Sequence, residues 1–406
     1  MKRFGVILLC CGLAATGLLA QVSAKKPKRP KKPVRTGAVT AEMERSLLRA
    51  LDDIFRMDFE SADKMTRKAV ELNPEHPYGY LGMSVVTLMR YLYETEQTDQ
   101  PLIKPFEDQV EAAVRAAGKW LDRHPKDPEA LMAMGAAYGM SSRLKCTRHD
   151  WLDAYFQGRK AIRFVRKAAK LDPDLYDAHI GIGMYDYYTD VYSHLVKVLA
   201  KLLFGGNRLK GIEHLKIAAE KGKFSSTAAK LILVEIYTED RFGSRDTAQA
   251  VRIMAQLRRT YPESPMLHSA HIISLYENGD YRAVVQGSKE YLDRVRSGGY
   301  RAIDKAKGHV MLGTGLWALG EKEKALESFR KASAVQFNDR LSRWAVWGLI
   351  RSGHIMDELG MRQEALKSYS RASHEPDHWK LKAKALAGAR RPFKKMSPGP
   401  IPPLAD

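Results

Sequence analysis

From about residue 40 onward, apolar positions recur at helical spacing almost without interruption. No stretch sustains the strict alternation of a half-buried strand, so an all-α chain without strands is expected. The pattern also comes in pairs. Leu319-Gly320-Glu321 followed by Ala325, Phe329 and Ala332 returns forty residues later as Leu359-Gly360-Met361 followed by Ala365, Tyr369 and Ala372. Self-similarity at such a period implies stacked units that each bury a face on the next.

Within each pair the two helices carry different marks. The second has a small residue, a large one four later, a small one three later, and often proline five beyond that. Ala62, Thr66, Ala69 and Pro74 fit, with a polar Thr66; so do Ala161, Val165, Ala168 and Pro173. Gly211, Leu215 and Ala218 follow, then Ala250, Met254, Leu257 and Pro262, with weaker cases near Ala112–Trp120 and Ala283–Tyr291. The first helix carries a Leu-Gly type step: Leu81-Gly82 with Val85, Met134-Gly135 with Tyr138, Ile182-Gly183, and Leu312-Gly313 with Leu316. Small residues let antiparallel helices approach closely, the large one fills the hole opposite, and proline stops the second helix.

These marks resemble those of tetratricopeptide repeat proteins, over roughly 41–390. The resemblance implies a right-handed α-solenoid of about eight helix pairs, capped by a last helix around His378–Arg390. The second-helix marks at 62, 112, 161 and 211 lie about fifty apart, and those at 250, 283, 325 and 365 lie 33–42 apart. The first half therefore calls for long helices or insertions, near 93–105, 141–153 and 188–206. The stretch 181–218, with Gly181, Gly183, an apolar run, Gly205-Gly206-Asn207-Arg208 and Gly211, is similar to the middle of the eukaryotic inclusion-body-clearance tetratricopeptide proteins. That likeness implies a shared structural insert.

Charge changes the picture at the N-terminus. The 406 residues have a formal net charge of +20. Residues 1–35 hold nine Lys/Arg and no acid, and the remainder carries 58 basic against 47 acidic residues, an excess of 11. Lys2 and Arg3, an apolar run from Phe4 to Ala20, and Val22-Ser23-Ala24 read as an export signal cleaved after Ala24; an uncleaved anchor is the alternative. Residues 25–40 begin as a basic arm with prolines at 27, 30 and 33, expected to be extended and disordered. Lys25–Arg35 could touch anionic membrane or cell wall. The Pro-rich 391–406 is expected to be disordered or loosely packed. The reading places the chain in the periplasm or envelope. Beyond the leader, Cys146 is the only cysteine, so no internal disulfide is available.

Candidate chemistry is sparse. His268/His271 and His374/His378 have helical spacing, yet no HExxH and no further ligand set completes a metal site. No P-loop, nucleophile elbow or dinucleotide fingerprint occurs, so no catalytic residue, cofactor or metal is assigned. Tyr185, Tyr187, Tyr188 and Tyr192 are dense, with Asp186, Asp190 and His194 between them. They read as an insertion anchor or an aromatic contact surface. Arg159, Arg163, Arg166 and Lys170 form one helical stripe, either a solvated face or a patch for an anionic partner. Nucleic acid is a poor candidate, for want of a reading motif. The expected role is a non-enzymatic exported scaffold that holds a protein or peptide in a groove. Tyr80, Met83, Tyr138, Tyr185, Tyr188 and Trp317 are its candidate lining, with Arg163 and Arg166 as clamps. The alternative is an attachment or spacer module held on the envelope by the basic arm.

Overall fold

The computed structural model describes residues 39–94, 100–148, 150–193, 206–337, 340–377 and 381–394. The leader, the arm to residue 38, residues 194–205 of the third insertion, His378 and the tail from 395 lie outside the described residues.

Eight helix pairs follow one another. They are α1 (Ala41–Arg56) with α2 (Phe59–Leu72), α3 (Pro77–Met89) with α4 (Ile103–Arg123), α5 (Pro128–Thr147) with α6 (Trp151–Leu171), and α7 (Ala178–Ser193) with α8 (Arg208–Lys221). Then come α9 (Ser226–Glu239) with α10 (Thr247–Thr260), α11 (Pro265–Asn278) with α12 (Tyr281–Arg296), α13 (Asp304–Ala318) with α14 (Lys322–Ala332), and α15 (Arg343–Glu358) with α16 (Arg362–His374). A single helix, α17 (Lys382–Arg390), ends the series. The eight second-helix marks read from the sequence fall on the eight second helices. The chain divides into two compact units, the first of residues 39–54, 58–92 and 100–233, the second of 55–57, 93–94 and the described residues from 234 on.

Local chemistry sets the helix ends. Asp58, Asp127, Asn207, Asp246, Ser264 and Ser342 each accept a backbone N–H of the first turn that they precede, satisfying donors that the helix cannot. Pro77, Pro128 and Pro265 occupy first helical positions, where the missing N–H costs nothing. In the second unit three first helices stop in the same way. Gly320 has φ +86°, with Gly320 N bonded to Trp317 O at 3.0 Å and Glu321 N to Leu316 O at 2.9 Å; Gly279 and Gly360 repeat the motif. The Leu-Gly-x step of the sequence repeat is therefore a left-handed helix stop that turns one helix into its partner.

The small-for-large code is the core itself. A Cβ on Gly313 of α13 would sit 2.7 Å from the Phe329 ring of α14. Tyr369 of α16 fills two such notches, at Gly353 of α15 and at Gly388 of α17. A Cβ on Gly135 of α5 would sit 2.6 Å from Val165 Cγ2 and 3.0 Å from the Ala161 carbonyl of α6. Because part of that wall is backbone, Gly135→Ala should destabilise the first unit by about 1–3 kcal/mol. Urea unfolding followed on that unit would read it; a change under about 0.5 kcal/mol would show that α5 and α6 slide apart freely. Thr66, the polar exception in the code, is buried because its hydroxyl donates to Asp63 O at 2.9 Å within its own helix.

Three details depart from the sequence reading. The region 141–153 is not an inserted loop: α5 and α6 are simply 20 and 21 residues long, joined by a short link. Gln336–Phe337 and Arg340–Leu341 form a two-residue antiparallel ladder between α14 and α15, too short to leave an alternation in the sequence. Phe393, inside the tail expected to be loose, is anchored. Phe393 stacks on His354, with centroids 4.2 Å apart, and its N–H donates to Asp357 Oδ2 at 2.7 Å. The same buried carboxylate accepts from Tyr369 Oη at 2.8 Å and from Arg362, which also donates to the Gly388 and Ala389 carbonyls that end α17. Asp357 thus ties the capping helix and the following residues to α15 and α16.

A candidate interaction surface on the first unit

Two long helices of the first unit, α5 and α6, meet α7 among aromatic and basic side chains. Tyr138 of α5 stacks on Phe164 of α6, with centroids 6.0 Å apart and planes 17° from parallel. Lys160, one turn before Phe164, holds its Nζ 5.4 Å from the Tyr138 ring. Two residues after Phe164, on the other flank of α6, Arg166 donates Nη2–H to Asp186 Oδ1 of α7 at 2.7 Å, while its guanidinium lies 5.0 Å from the Tyr185 ring. Asp186 is buried and Arg166 is exposed. Burial raises the Asp186 carboxyl pKa, and the charges of Arg166 and His214 oppose that rise. Arg166 is therefore held in one place yet keeps donors turned to solvent, a geometry suited to a carboxylate partner.

Four of the eight residues expected to line a groove stand around α6 in two groups: Tyr138 and Arg163 with Phe164, and Arg166 with Tyr185. Arg163 and Arg166 stand on a second helix, and both are exposed. Tyr80 and Met83 are half-buried on α3, away from this cluster, and Tyr80 Oη donates to Pro74 O at 3.1 Å. Tyr188 and Trp317 are core residues, at 7% and 1% exposure. Tyr188 packs edge-on against Tyr187. Trp317 sits edge-on to Phe329 and donates Nε1–H to Glu358 at 3.2 Å. Neither is available to a partner, because each turns toward the neighbouring helix; helical spacing alone does not say which sector is covered. Phe164 and Lys160 complete the cluster beyond the expected lining. Their only signal in the sequence is the position of Lys160 one turn before an aromatic, itself next to Arg163.

Of the two histidine pairs, His268 and His271 both stand on α11, and His374 ends α16 with His378 outside the described residues. His268 is buried, with Nδ1 3.0 Å from Tyr300 Oη, and His271 is half-buried. His374 is exposed, with Nδ1 2.7 Å from Ser370 O. A pair not foreseen, His179 of α7 and His214 of α8, has Nδ1 atoms 2.7 Å apart, and burial lowers the His179 pKa ahead of the charges of His214 and Lys221. Among the described residues no group of three His, Cys, Asp or Glu side chains is placed to hold a metal ion.

No protein-family model matches the sequence, and no curated protein matches it. Solved structures similar to it include yeast Tom70, at 13% identity, covering 83% of this chain and 86% of that one with a TM-score of 0.40. A tetratricopeptide repeat protein from Parabacteroides merdae has 15% identity, 73% and 94% coverage and a TM-score of 0.32. Rap protein complexed with competence and sporulation factor has 13% identity, 84% and 78% coverage and a TM-score of 0.46. The eight helix pairs, with glycine notches facing large second-helix residues, make this chain an all-α solenoid of the tetratricopeptide type.

Proposed function

We propose that this protein is a non-enzymatic scaffold, exported to the cell envelope, that holds a protein or peptide partner against the α5–α7 face of its first unit. The observation that carries the reading is the fixed Arg166 guanidinium, bonded to a buried Asp186 and set beside Tyr185. A pre-positioned arginine beside a tyrosine loses little freedom on binding, which is the pattern of interface residues that carry most of an affinity. Tyr138 with Lys160 supplies a second anchor of the same kind. Tyr80 and Met83 extend the first-helix surface to α3. An extended or helical partner segment with a carboxylate facing Arg166 fits this chemistry. Envelope assembly or secretion is the setting that the leader suggests. The basic run Lys25–Arg35 supports a second role beside the first, as a tether to anionic membrane or wall.

A photo-crosslinking residue at position 185, used in cells, is expected to capture a discrete protein. Arg166→Ala with Tyr138→Ala should lower that capture about tenfold or more without changing the helical content. Capture of no protein at position 185, with the fold intact, would end this reading.

A further inference from the structure

α6 has an outer face unlike a mixed-charge solvated helix. From Ala154 to Leu171 it carries six basic residues and no acidic one, and all six are exposed. On α4 and α14 such charges pair along their own helix, Arg115 with Glu111 and Lys331 with Glu327. On α6 only Arg166 meets a carboxylate among the described residues. The same outer face opens with two apolar side chains, Leu152 at 69% and Phe156 at 52% exposure. At about 100° per residue, Leu152, Phe156, Arg163 and Lys170 lie within roughly 40° of one another, along about 27 Å of helix.

A third apolar side chain stands on the same edge of this unit. First helices end and second helices begin there: α5 ends at Thr147 where α6 starts, and Arg208 N of α8 donates to Asp190 Oδ2 of α7 at 2.8 Å. Leu209, the second residue of α8, is 61% exposed beside an exposed Lys210. Leu152, Leu209 and Phe156 are the most exposed large apolar side chains among the described residues, and they share this edge with the most basic helix face.

We propose that this edge of the first unit docks on an anionic lipid bilayer. Leu152, Phe156 and Leu209 enter the boundary between headgroups and acyl chains, and Arg163, Lys167 and Lys170 lie over lipid phosphates. The side chains stand on two helices, and each is more than half exposed. A protein partner would need pockets shaped to all three, whereas a bilayer takes them without shape complementarity. No helix among the described residues is long and apolar enough to cross a membrane, so the contact is superficial. The docking edge is distinct from the peptide reading above, which rests on Tyr138, Arg166 and Tyr185 at the flanks of α6.

The test uses the full exported chain and sedimentation with vesicles of phosphatidylcholine, plain or doped with phosphatidylglycerol. Binding to the doped vesicles only is expected. Leu152→Ser, Phe156→Ser and Leu209→Ser together should weaken it at least about tenfold, and R163E/K167E/K170E should weaken it to the residual binding of the basic arm Lys25–Arg35. R252E/R259E/K289E, an equal charge change on exposed residues of the second unit, should leave it within about twofold. Emission of a Leu152→Trp variant should be quenched by lipids brominated in their acyl chains. No binding to doped vesicles overturns the proposal. So does equal damage from both charge reversals, which would mean bulk charge alone. So does unquenched emission from the Leu152→Trp variant with the triple-serine variant binding normally, which would mark the edge as a site for an acidic protein segment.

Discussion

Replacing Phe329 with alanine is expected to destabilise the second unit by about 3–5 kcal/mol, measured as the loss in unfolding free energy. The ring is fully buried and fills the notch at Gly313 on α13. It also lies edge-on to Trp317, and its own carbonyl backs the Gly348 notch of α15. Truncation leaves a ring-sized void between the Gly313 backbone and the Trp317 ring in a close-packed core, so the cost sits at the upper end for core substitutions. Repeat arrays unfold by neighbouring interfaces, so hydrogen exchange should show the loss in α13–α16. A change below about 1 kcal/mol would mean that the helices close over the gap and that the glycine notch is not rigid.

Acid should unfold the second unit ahead of the first, through histidines buried in their neutral form. Burial holds the His268 pKa at about 3, with Arg258, Arg294 and His271 adding to the effect. Burial likewise brings His309 to about 4, helped by Lys305 and Lys331, and drives His354 well below its ordinary value. In the first unit His76 is the strongest counterpart, at about 4, with Asp127 opposing the burial. An unfolded histidine binds its proton near pH 6.5, and the folded one refuses it until the lower value. Above pH 6.5 neither state is charged and nothing is lost. Between 6.5 and about 4, and on to about 3 for His268, only the unfolded chain takes up the proton, so stability falls with pH. Each such histidine contributes a slope of at most about 1.4 kcal/mol per pH unit. Hydrogen exchange of each unit from pH 7 to 5 at constant ionic strength would read the order. His268→Gln should flatten the slope of the second unit. A pH-independent stability over that range would show that these rings are hydrated in solution.

How far the sequence reached can be judged from single positions. Ala325, Phe329 and Ala332 predicted a second helix packed through its large residue, and Phe329 does fill a glycine notch. The same arithmetic failed for Tyr188. Spacing placed it on a face with Tyr185 and Tyr192, but Tyr188 turns into the core while Tyr185 stays at the surface beside Arg166. Trp317 failed for the same reason. The Asp357 hub had no sequence signal at all, because its partners Arg362 and Tyr369 of α16 and Phe393 beyond α17 meet only in the folded chain.

The order and pairing of helices, their glycine stops and the residues that interlock them were determined by the sequence alone, because each depends on neighbours within one or two turns or one repeat. Which aromatic side chains reach the surface, which carboxylate holds Arg166, and how the last helix is fastened were decided only by the tertiary structure. Those features depend on the rotation of each helix against the next, a difference of one helical sector that periodicity cannot resolve.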